Sequence, residues 1–460
     1  MGVTRTVSVD EKRRRLLMKA TPAFLTALLV CATVAAQEKG PAGDDVSRLE
    51  RLARRLGDED YKSREAAEKE LLKAGSAAIP ALVKVAAGGN AEAKLRARRL
   101  LMLLGGWDSR AVKKAVVEGV DWLLRHQSDD GRWDMDGFTK NCRGGGMCPA
   151  GTTVGDFDEG VTALALLALL GSRGCADGKK WRPAAARATT WLLGRQDGGG
   201  WIGKKSGVGV WMYNHVIATL ALCRAAKAGV LDGEDGGAKM KKAVRRLIEA
   251  RSPGVGWSYV PSAGGSDTSL TAWAVKALAA AEAAGVAVPK STFAGAFAWL
   301  DRVLDPGSGR VGYRHRGDSG AVIMGVNEKY AKLPAMTAAA LAAQLSAGRK
   351  TNEAGLRKSL QLVLRNRPEW DEKRLKVDMY YWLHAAEALA AAGAEGPAAV
   401  PDSEAFGRWR ATLVDLLLAH QNGNGCLRGS WDPVGKWGMV GGRVYSTAAC
   451  LLMLESLLGR

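Results

Sequence analysis

Carboxylates and one imidazole stand immediately before the most apolar stretches of this chain. Asp158 and Glu159 precede one such run, and His215 precedes the next. Asp267 and Asp378 each precede another. Two carboxylates that share a pocket can act as general acid and base, as in enzymes that cleave glycosidic bonds. A histidine can exchange a proton near neutral pH. These five residues are therefore the candidate catalytic residues.

The same positions carry side chains suited to holding a ligand. These candidate ligand-binding residues are Tyr213, Asn214, Tyr380, Tyr381, Arg443 and Tyr445. A structural role fits some of the acidic residues equally well, because Asp at a helix start caps exposed N–H groups and complements the helix dipole. Asp156, Asp267 and Asp378 all suit such capping. His215 likewise suits a buried structural histidine.

The elements that would position these residues belong to a repeat. Each copy is an amphipathic helix followed by a glycine-rich turn and an aromatic residue. The aromatic residues are Trp133, Trp201, Trp257, Tyr313, Trp370 and Trp431, which stand 68, 56, 56, 57 and 61 residues apart. A period of this length indicates one structural unit copied several times. The sequence therefore predicts six copies.

Each period contains two helices of different character. The first is amphipathic, and these helices are predicted over 111–126, 183–196, 238–250, 293–303, 353–366 and 403–421. The second is apolar nearly all round, and these helices are predicted over 161–170, 216–226, 270–284, 337–345, 382–392 and 447–458. A helix that is apolar on every side needs neighbours on every side. The pattern predicts an all-α fold, a six-hairpin α/α toroid with a double ring of twelve helices, and an open solenoid is the alternative.

The residues before the predicted ring show two different sequence patterns. Residues 1–36 combine a basic start, an apolar run and small residues, which predicts a signal peptide and export to the periplasm or beyond. Arg13-Arg14-Arg15 leaves open whether the route is twin-arginine or general secretion. Residues 37–107 resemble a short HEAT-like helical segment, with Pro80 in the first turn of a helix. The toroid is predicted over 108–460.

Charge and cysteine content limit the partners. The net charge of +19 is spread along many helices, so the sequence predicts no nucleic-acid binding and only weak association with anionic membrane surfaces. Cys142 and Cys148 flank a glycine-rich loop and could form a small disulfide, whereas Cys223 and Cys450 suit buried thiols. Five His and no CxxC or HxxxH spacing predict no metal site and no cofactor.

The turns carry a resemblance to a known family. The copies from Gln127 to Trp133 and from Gln196 to Trp201 resemble the prenyltransferase and squalene-oxidase repeat of squalene-hopene cyclases and protein prenyltransferase β subunits. The resemblance covers roughly residues 108–460 and implies a toroid with a central cavity. It also implies that each Gln caps a helix end while each Trp packs under the next repeat.

The chain departs from that family at its catalytic motif. Cyclases that start by protonation carry DxDDTA, and here Ser266 stands where the proton-donating Asp would be, followed by Asp267 and Thr268. Serine cannot protonate an alkene. The first hypothesis is therefore a toroid that binds an apolar or isoprenoid-like ligand, or one that binds a protein partner through the HEAT-like segment.

Two enzymatic alternatives stay open. One is a diverged cyclase or transferase that uses Asp267 or the cluster from Asp156 to Glu159. The other is a polysaccharide-acting α/α barrel that uses paired carboxylates. Two long loops, 134–155 and 314–333, are expected to act as lids or ligand-contacting surfaces, with His315 and Arg316 of the second bordering the pocket. Mobile flaps without chemistry are the alternative.

Overall fold

The computed structural model describes residues 43–104, 109–143, 147–149, 155–172, 177–203, 209–231, 233–253, 255–262 and 264–458. The predicted signal peptide, Cys31 and Cys175 lie outside these ranges. Within them the chain is helical, and its β pairing is limited to isolated bridges. The described residues up to Ala97 form one compact unit, and those from Arg98 onward form a second.

Four helices open the described chain: α1 (Gly43–Arg55), α2 (Tyr61–Ala74), α3 (Ile79–Gly88) and α4 (Ala91–Leu103). The division between the units falls within α4. Asp60 caps α2 by accepting hydrogen bonds from the backbone N–H groups of Lys62 and Ser63. Pro80 lies in the first turn of α3, as predicted, where its missing N–H leaves no helical bond unmade.

Twelve further helices among the described residues form the second unit. The outer, amphipathic helices are α5 (Ser109–His126), α7 (Gly178–Gly194), α9 (Gly233–Glu249), α11 (Lys290–Val303), α13 (Ala354–Arg365) and α15 (Ser403–Ala419). The inner helices are α6 (Asp158–Gly171), α8 (Met212–Lys227), α10 (Thr268–Ala283), α12 (Ala335–Ser346), α14 (Met379–Ala394) and α16 (Gly438–Leu457). All twelve overlap the predicted helices.

The inner helices close into a ring. Each packs against the next inner helix in the chain, and α16 packs back against α6. Their faces are apolar all round because each has inner neighbours on two sides and an outer helix behind it. The predicted α/α toroid is confirmed, and the open solenoid is not what forms.

Most helices begin before the predicted residue, and two of these starts involve a proline or a glycine. α7 begins at Gly178, capped by Asp177, so Pro183 lies inside it instead of at its start. α16 begins at Gly438 and bends at Gly442, whose φ of 71° is readily adopted only by glycine.

A glutamine bridge joins neighbouring repeats. Gln127 Nε2 donates to the carbonyl of Gly131 in its own turn, at 2.8 Å, and to that of Ala184 in α7, at 2.9 Å. Gln196 and Gln421 make the same pair of bonds in their repeats. The glutamine predicted to cap a helix end therefore also ties its turn to the next outer helix.

Threonines attach the turns to the inner helices. Backbone N–H groups in four turns donate to threonine hydroxyls near inner-helix starts, in the pairs Trp133 and Thr162, Trp257 and Thr271, Val311 and Thr337, and Trp431 and Thr447. The Trp133 indole donates to Leu123 of its own outer helix at 2.8 Å. Each turn is thus fixed against both helices of its repeat.

None of the described helices combines the length and the hydropathy that a membrane span requires.

Candidate ligand site at the mouth of the toroid

Hydroxyl groups from three inner helices meet where those helices begin. Tyr213 Oη, on α8, donates to Ser269 Oγ, on α10, at 2.8 Å. Ser269 Oγ also lies 2.8 Å from Tyr380 Oη, on α14. Because α12 stands between α10 and α14 in the ring, the second contact reaches across the lumen. These three side chains define a hydroxyl cluster at the mouth.

Two more tyrosines extend this cluster toward the rim. The hydroxyls of Tyr259 and Tyr313 lie 2.5 Å apart, and the ring of Tyr213 lies 6.0 Å from that of Tyr259. The Arg314 guanidinium lies 5.4 Å from the centre of the Tyr313 ring. The four tyrosines are half-buried and so keep part of each ring accessible. The mouth therefore presents apolar ring faces with polar tips.

Asp267 lies among these tyrosines. Its Oδ1 accepts a hydrogen bond from the backbone N–H of Leu270 at 2.8 Å, which caps α10. Its Oδ2 is buried and has no hydrogen-bond partner among the described residues. Burial raises the pKa of this carboxyl to about 7, against the lowering effect of the Leu270 N–H and of Arg314. The group is therefore partly neutral at physiological pH.

The charge of Asp267 is felt by the hydroxyls around it. Burial raises the pKa of Tyr213, Tyr259, Tyr313 and Tyr380, and the nearby carboxylate raises each of them further. These phenols accordingly stay protonated and able to donate hydrogen bonds. The mouth is a set of neutral donors and acceptors around one buried acid.

Beneath the mouth, side chains of α10 and α14 fill the lumen between them. The rings of Trp273 and His384 lie 4.9 Å apart, and Lys276 Nζ lies 2.5 Å from Glu387 Oε2. On each helix these residues follow the hydroxyl cluster at positions four and seven further along, which is one helical face. The alanine-rich α12 leaves the room for this crossing, which we call the lumen crossing.

Some of the residues predicted for the site lie together at the mouth, and others lie elsewhere. Tyr213, Asp267 and Tyr380 come together as expected. Asp378 caps α14 through the N–H of Tyr381 at 3.0 Å, and its buried Oδ2 has no hydrogen-bond partner among the described residues. Burial raises the pKa of this carboxyl too. The half-buried Tyr445 is close enough for the charge of Asp378 to affect its pKa, which burial raises.

Tyr381 points away from the mouth. Its hydroxyl donates to the carbonyls of Asn366 and Val363 beside the outer helix α13, at 2.7 and 3.2 Å. Its ring is fully buried. Consecutive residues on a helix point about 100° apart, so Tyr380 can face the lumen while its neighbour faces outward. The prediction that Tyr381 binds ligand therefore loses its geometric basis.

Glu159 and Asn214 join two inner helices. Glu159 is buried, and it accepts hydrogen bonds from Arg195 Nε at 2.9 Å and from Asn214 Nδ2 at 3.2 Å. Asn214 Oδ1 in turn accepts from the N–H of Gly160 at 3.1 Å. Both side chains are fully engaged in packing α6 against α8.

Asp158 organises the turn before α6. It accepts hydrogen bonds from Arg132 at 3.1 Å and from the N–H of Met135 at 3.0 Å. Burial raises its pKa to about 6. Asp156 is exposed and stands before the cap position of α6, which Phe157 occupies, whereas the capping predicted for Asp267 and Asp378 is confirmed.

His215 lies against the Trp201 ring and the backbone of Ile202. It is fully buried, its Nδ1 accepts from the N–H of Ile202 at 3.2 Å, and the Trp201 ring lies edge-on at 4.8 Å. Burial lowers its pKa to about 3, so it stays neutral. Of the two alternatives the sequence left open for this residue, the geometry favours the structural one.

Arg443 contacts the first long loop, and the second long loop starts at Arg314 beside the Tyr313 ring and then runs out to solvent. Arg443 is buried, and it donates to the carbonyl of Pro149 at 3.2 Å and to Ser430 Oγ at 3.1 Å. His315 and Arg316 are exposed, in a turn held by Asp318, which accepts from three backbone N–H groups. The second loop thus presents these side chains to solvent.

The structure also assembles a group that sequence reasoning missed. Its members are His126, Cys142, Cys148 and Cys426, whose potential ligand atoms all lie within 4.8 Å of one another. Cys142 and Cys148 are free thiols here, not the disulfide considered from the sequence, and Cys223 and Cys450 are buried thiols as predicted. Ring closure was the signal that could have revealed this cluster, because it places the sixth turn beside the first.

Comparison with known proteins gives the fold. No protein-family model matches the chain, and no curated protein matches it. Among solved structures, an inactive variant of the α-1,6-mannanase GH76A of Salegentibacter sp. HEL1_6, in complex with α-1,6-mannotriose, is 12% identical with a TM-score of 0.50. The alignment covers 75% of this chain and 99% of the mannanase.

A second similar structure is the type II terpene cyclase MstE from Scytonema. It is 16% identical, with a TM-score of 0.47, and the alignment covers 76% of this chain and 98% of the cyclase. At such identities a likeness extends to the fold and no further. The contacts among its own inner helices make the chain an α/α toroid, and its activity has to be argued from its own residues.

Proposed function

We propose that the toroid binds a small amphiphilic molecule at its mouth, with the polar end against Asp267 and the apolar body over the tyrosine rings. An isoprenoid alcohol has this chemistry. The observation that carries the proposal is the buried Oδ2 of Asp267, which has no partner among the described residues and is surrounded by half-buried tyrosines.

The energetics favour such a ligand. A buried polar atom without a hydrogen bond costs about 1–3 kcal/mol, and a ligand hydroxyl could recover part of that cost. The accessible faces of Tyr213, Tyr259, Tyr313 and Tyr380 supply apolar contact, and their hydroxyls supply further donors and acceptors. A few convergent polar groups in an otherwise apolar pocket are typical of small-molecule sites.

Two observations favour binding over cyclisation of a long polyene. Ser266, at the position of the proton donor in the cyclase motif, accepts a hydrogen bond from the N–H of Gly256 at 2.9 Å and offers no acid. The lumen crossing occupies the space beneath the mouth between α10 and α14. A long hydrocarbon would have to displace a buried ion pair to enter there.

Acid catalysis by Asp267 is a second candidate. Its raised pKa of about 7 and its unpartnered oxygen suit a proton donor. Polysaccharide cleavage has less support, because Asp158 and Glu159 are both engaged in hydrogen bonds that hold the turn and the helices. Product formation separates these functions from binding alone.

The test measures binding of all-trans-farnesol and of α-1,6-mannotriose to the full-length protein by tryptophan fluorescence. We expect farnesol to bind and mannotriose not to bind. Tyr380→Phe should weaken farnesol binding about 10-fold, since a lost hydrogen bond is worth about 1 kcal/mol or slightly more. Tyr381→Phe is the matched control and should bind like the wild type, because its hydroxyl faces α13.

The same titration has a pH signature. A ligand that covers the mouth buries Asp267 more deeply, which favours the neutral carboxyl as donor to the ligand hydroxyl, so binding should weaken as pH rises above about 7. Asp267→Asn is neutral at every pH and should lose that dependence. Absent farnesol binding, or binding that Tyr380→Phe leaves unchanged, overturns the proposal. Conversion of farnesol to a new product in chromatography would support acid catalysis instead.

A further inference from the structure

Four side chains converge where the last repeat meets the first. His126 ends α5, Cys142 and Cys148 flank the loop that follows, and Cys426 lies in the turn of the sixth repeat. His126 Nε2 lies 3.2 Å from Cys426 Sγ and 3.6 Å from the sulfurs of Cys142 and Cys148. One nitrogen therefore faces three sulfurs contributed from two ends of the ring.

The three nitrogen–sulfur separations match the corresponding edges of a zinc tetrahedron, and all the ligand atoms lie within 4.8 Å of one another. Zinc bonds of about 2.3 Å to sulfur and about 2.0 Å to nitrogen place the ligand atoms of a regular tetrahedron about 3.6 Å apart for a sulfur and a nitrogen. The three measured distances are at or slightly below that value. A Cys3His set is one of the usual ligand combinations of structural zinc sites.

The imidazole is held in the orientation that metal binding requires. His126 Nδ1 lies 2.8 Å from the carbonyl oxygen of Trp122, which can only accept, so Nδ1 carries the proton and the lone pair of Nε2 faces the sulfurs. The ring stacks on Trp122 at 4.3 Å and meets the edge of Phe138 at 5.8 Å. A hydrogen bond from the second ring nitrogen to a carbonyl is the common support of metal-ligating histidines.

The environment of the sulfurs fits a closed site. The backbone N–H of Cys148 lies 3.3 Å from Cys142 Sγ, to which it donates. His126 is fully buried and Cys148 nearly so, while Cys142 and Cys426 are half-buried. Four protein ligands complete the coordination of zinc and leave no position for a substrate, which is the arrangement of a structural site.

We propose that His126, Cys142, Cys148 and Cys426 bind one Zn²⁺ ion, and that this ion fastens the sixth repeat to the first. Thiolate and imidazole ligands select zinc over magnesium or calcium. A disulfide is the main competing fate of these thiols in an exported protein. It would pair only two of the three cysteines and would leave the third thiol beside His126 Nε2.

The test is the metal content of the full-length protein, purified without chelator and analysed by plasma mass spectrometry. We expect about one zinc per chain. Cys426→Ser and His126→Ala should each lower zinc at least 10-fold, since each removes a ligand. The matched controls are Cys450→Ser, which removes a buried thiol elsewhere, and His420→Ala, which removes the histidine at the equivalent position of the sixth repeat.

A second measurement on the wild type does not depend on how the variants fold. Replacing zinc by Co²⁺ should give the visible bands of a tetrahedral ion and a thiolate charge-transfer band, and zinc should protect Cys142 from alkylation. Wild-type protein without zinc, with iron or copper in its place, or with a disulfide between any two of these cysteines in unreduced peptides would overturn the proposal. So would a Cys426→Ser protein that keeps its zinc.

Discussion

The ring is closed in two ways that differ in origin. Around its circumference the sixth repeat meets the first at a seam, and across its lumen α10 meets α14 in the lumen crossing. The seam joins residues about 300 positions apart, as in the bond from Gln421 to the carbonyl of Ala115. The lumen crossing joins residues 111 positions apart, as in the ion pair of Lys276 and Glu387.

The seam uses contacts that other junctions also use. The bridge from Gln421 to Ala115 reproduces those from Gln127 to Ala184 and from Gln196 to Lys239. The lumen crossing has no such counterpart among the described helices, and it depends on the small side chains of α12. The glutamine bridge, which recurs at several junctions, holds neighbouring repeats together. The lumen crossing occurs at one place and shapes the interior of the ring.

The largest expected effect comes from filling the space at the seam. Gly429 has a φ of +94°, and a Cβ there would lie 2.0 Å from the carbonyl oxygen of Glu118. Gly429→Ala should therefore lower the free energy of unfolding by about 2–5 kcal/mol, combining backbone strain with a steric clash. Urea unfolding followed by tryptophan fluorescence measures the change.

The control for this substitution is Gly198→Ala in the second turn. A Cβ at Gly198 would have no neighbour within 4 Å, so the change should stay within about 0.5 kcal/mol. Similar losses for the two variants would contradict the close approach at the seam.

The next largest effect is expected from breaking the ion pair of the lumen crossing. Lys276→Met leaves Glu387 half-buried without its cation, which should cost about 2–4 kcal/mol of unfolding free energy. Lys276→Met combined with Glu387→Leu should recover most of that loss, because no unpaired charge remains. Lys239→Met, which breaks an exposed pair with Asp235, should cost less than about 1 kcal/mol. A double variant as unstable as the single one would show that packing, and not charge, governs the crossing.

The smallest effect is expected from removing the glutamine bridge, once at the seam and once at an internal junction. Gln421→Ala and Gln196→Ala each remove a half-buried amide that bridges a turn to the neighbouring outer helix. Each should cost about 1–2 kcal/mol, measured by the same unfolding experiment. Equal losses would show that the seam is held like any other junction. A difference above about 1 kcal/mol between the two would mean that the shared bridge does different work at the seam.

Much of the fold could be predicted, because the same pair of helices recurs in each repeat and each copy supports the same interpretation. The all-round apolar helices had to be surrounded, and six copies sufficed to close a ring. Helix starts were less predictable: Pro183 lies inside α7 although its ring removes one i→i−4 hydrogen bond of that helix, and Gly442 bends α16.

The site was predicted only in part, for reasons of direction and distance. Tyr380 and Tyr381 are adjacent and look alike in the sequence, yet one faces the lumen and the other faces α13. Only the rotation of α14 about its axis distinguishes them. His126 and Cys426 are 300 residues apart and share no motif spacing, so their meeting depends on the closed ring.

The lumen crossing would also limit the route by which a ligand of the proposed kind reaches Asp267. Trp273 and His384, backed by Lys276 and Glu387, form a floor directly below the hydroxyl cluster. Between α10 and α14 the lumen is therefore closed below the hydroxyl cluster and does not form an open channel. A ligand bound at the cluster would have to dissociate through the face by which it entered. Its dissociation rate would then depend on the rim residues, such as Tyr259 and Tyr313.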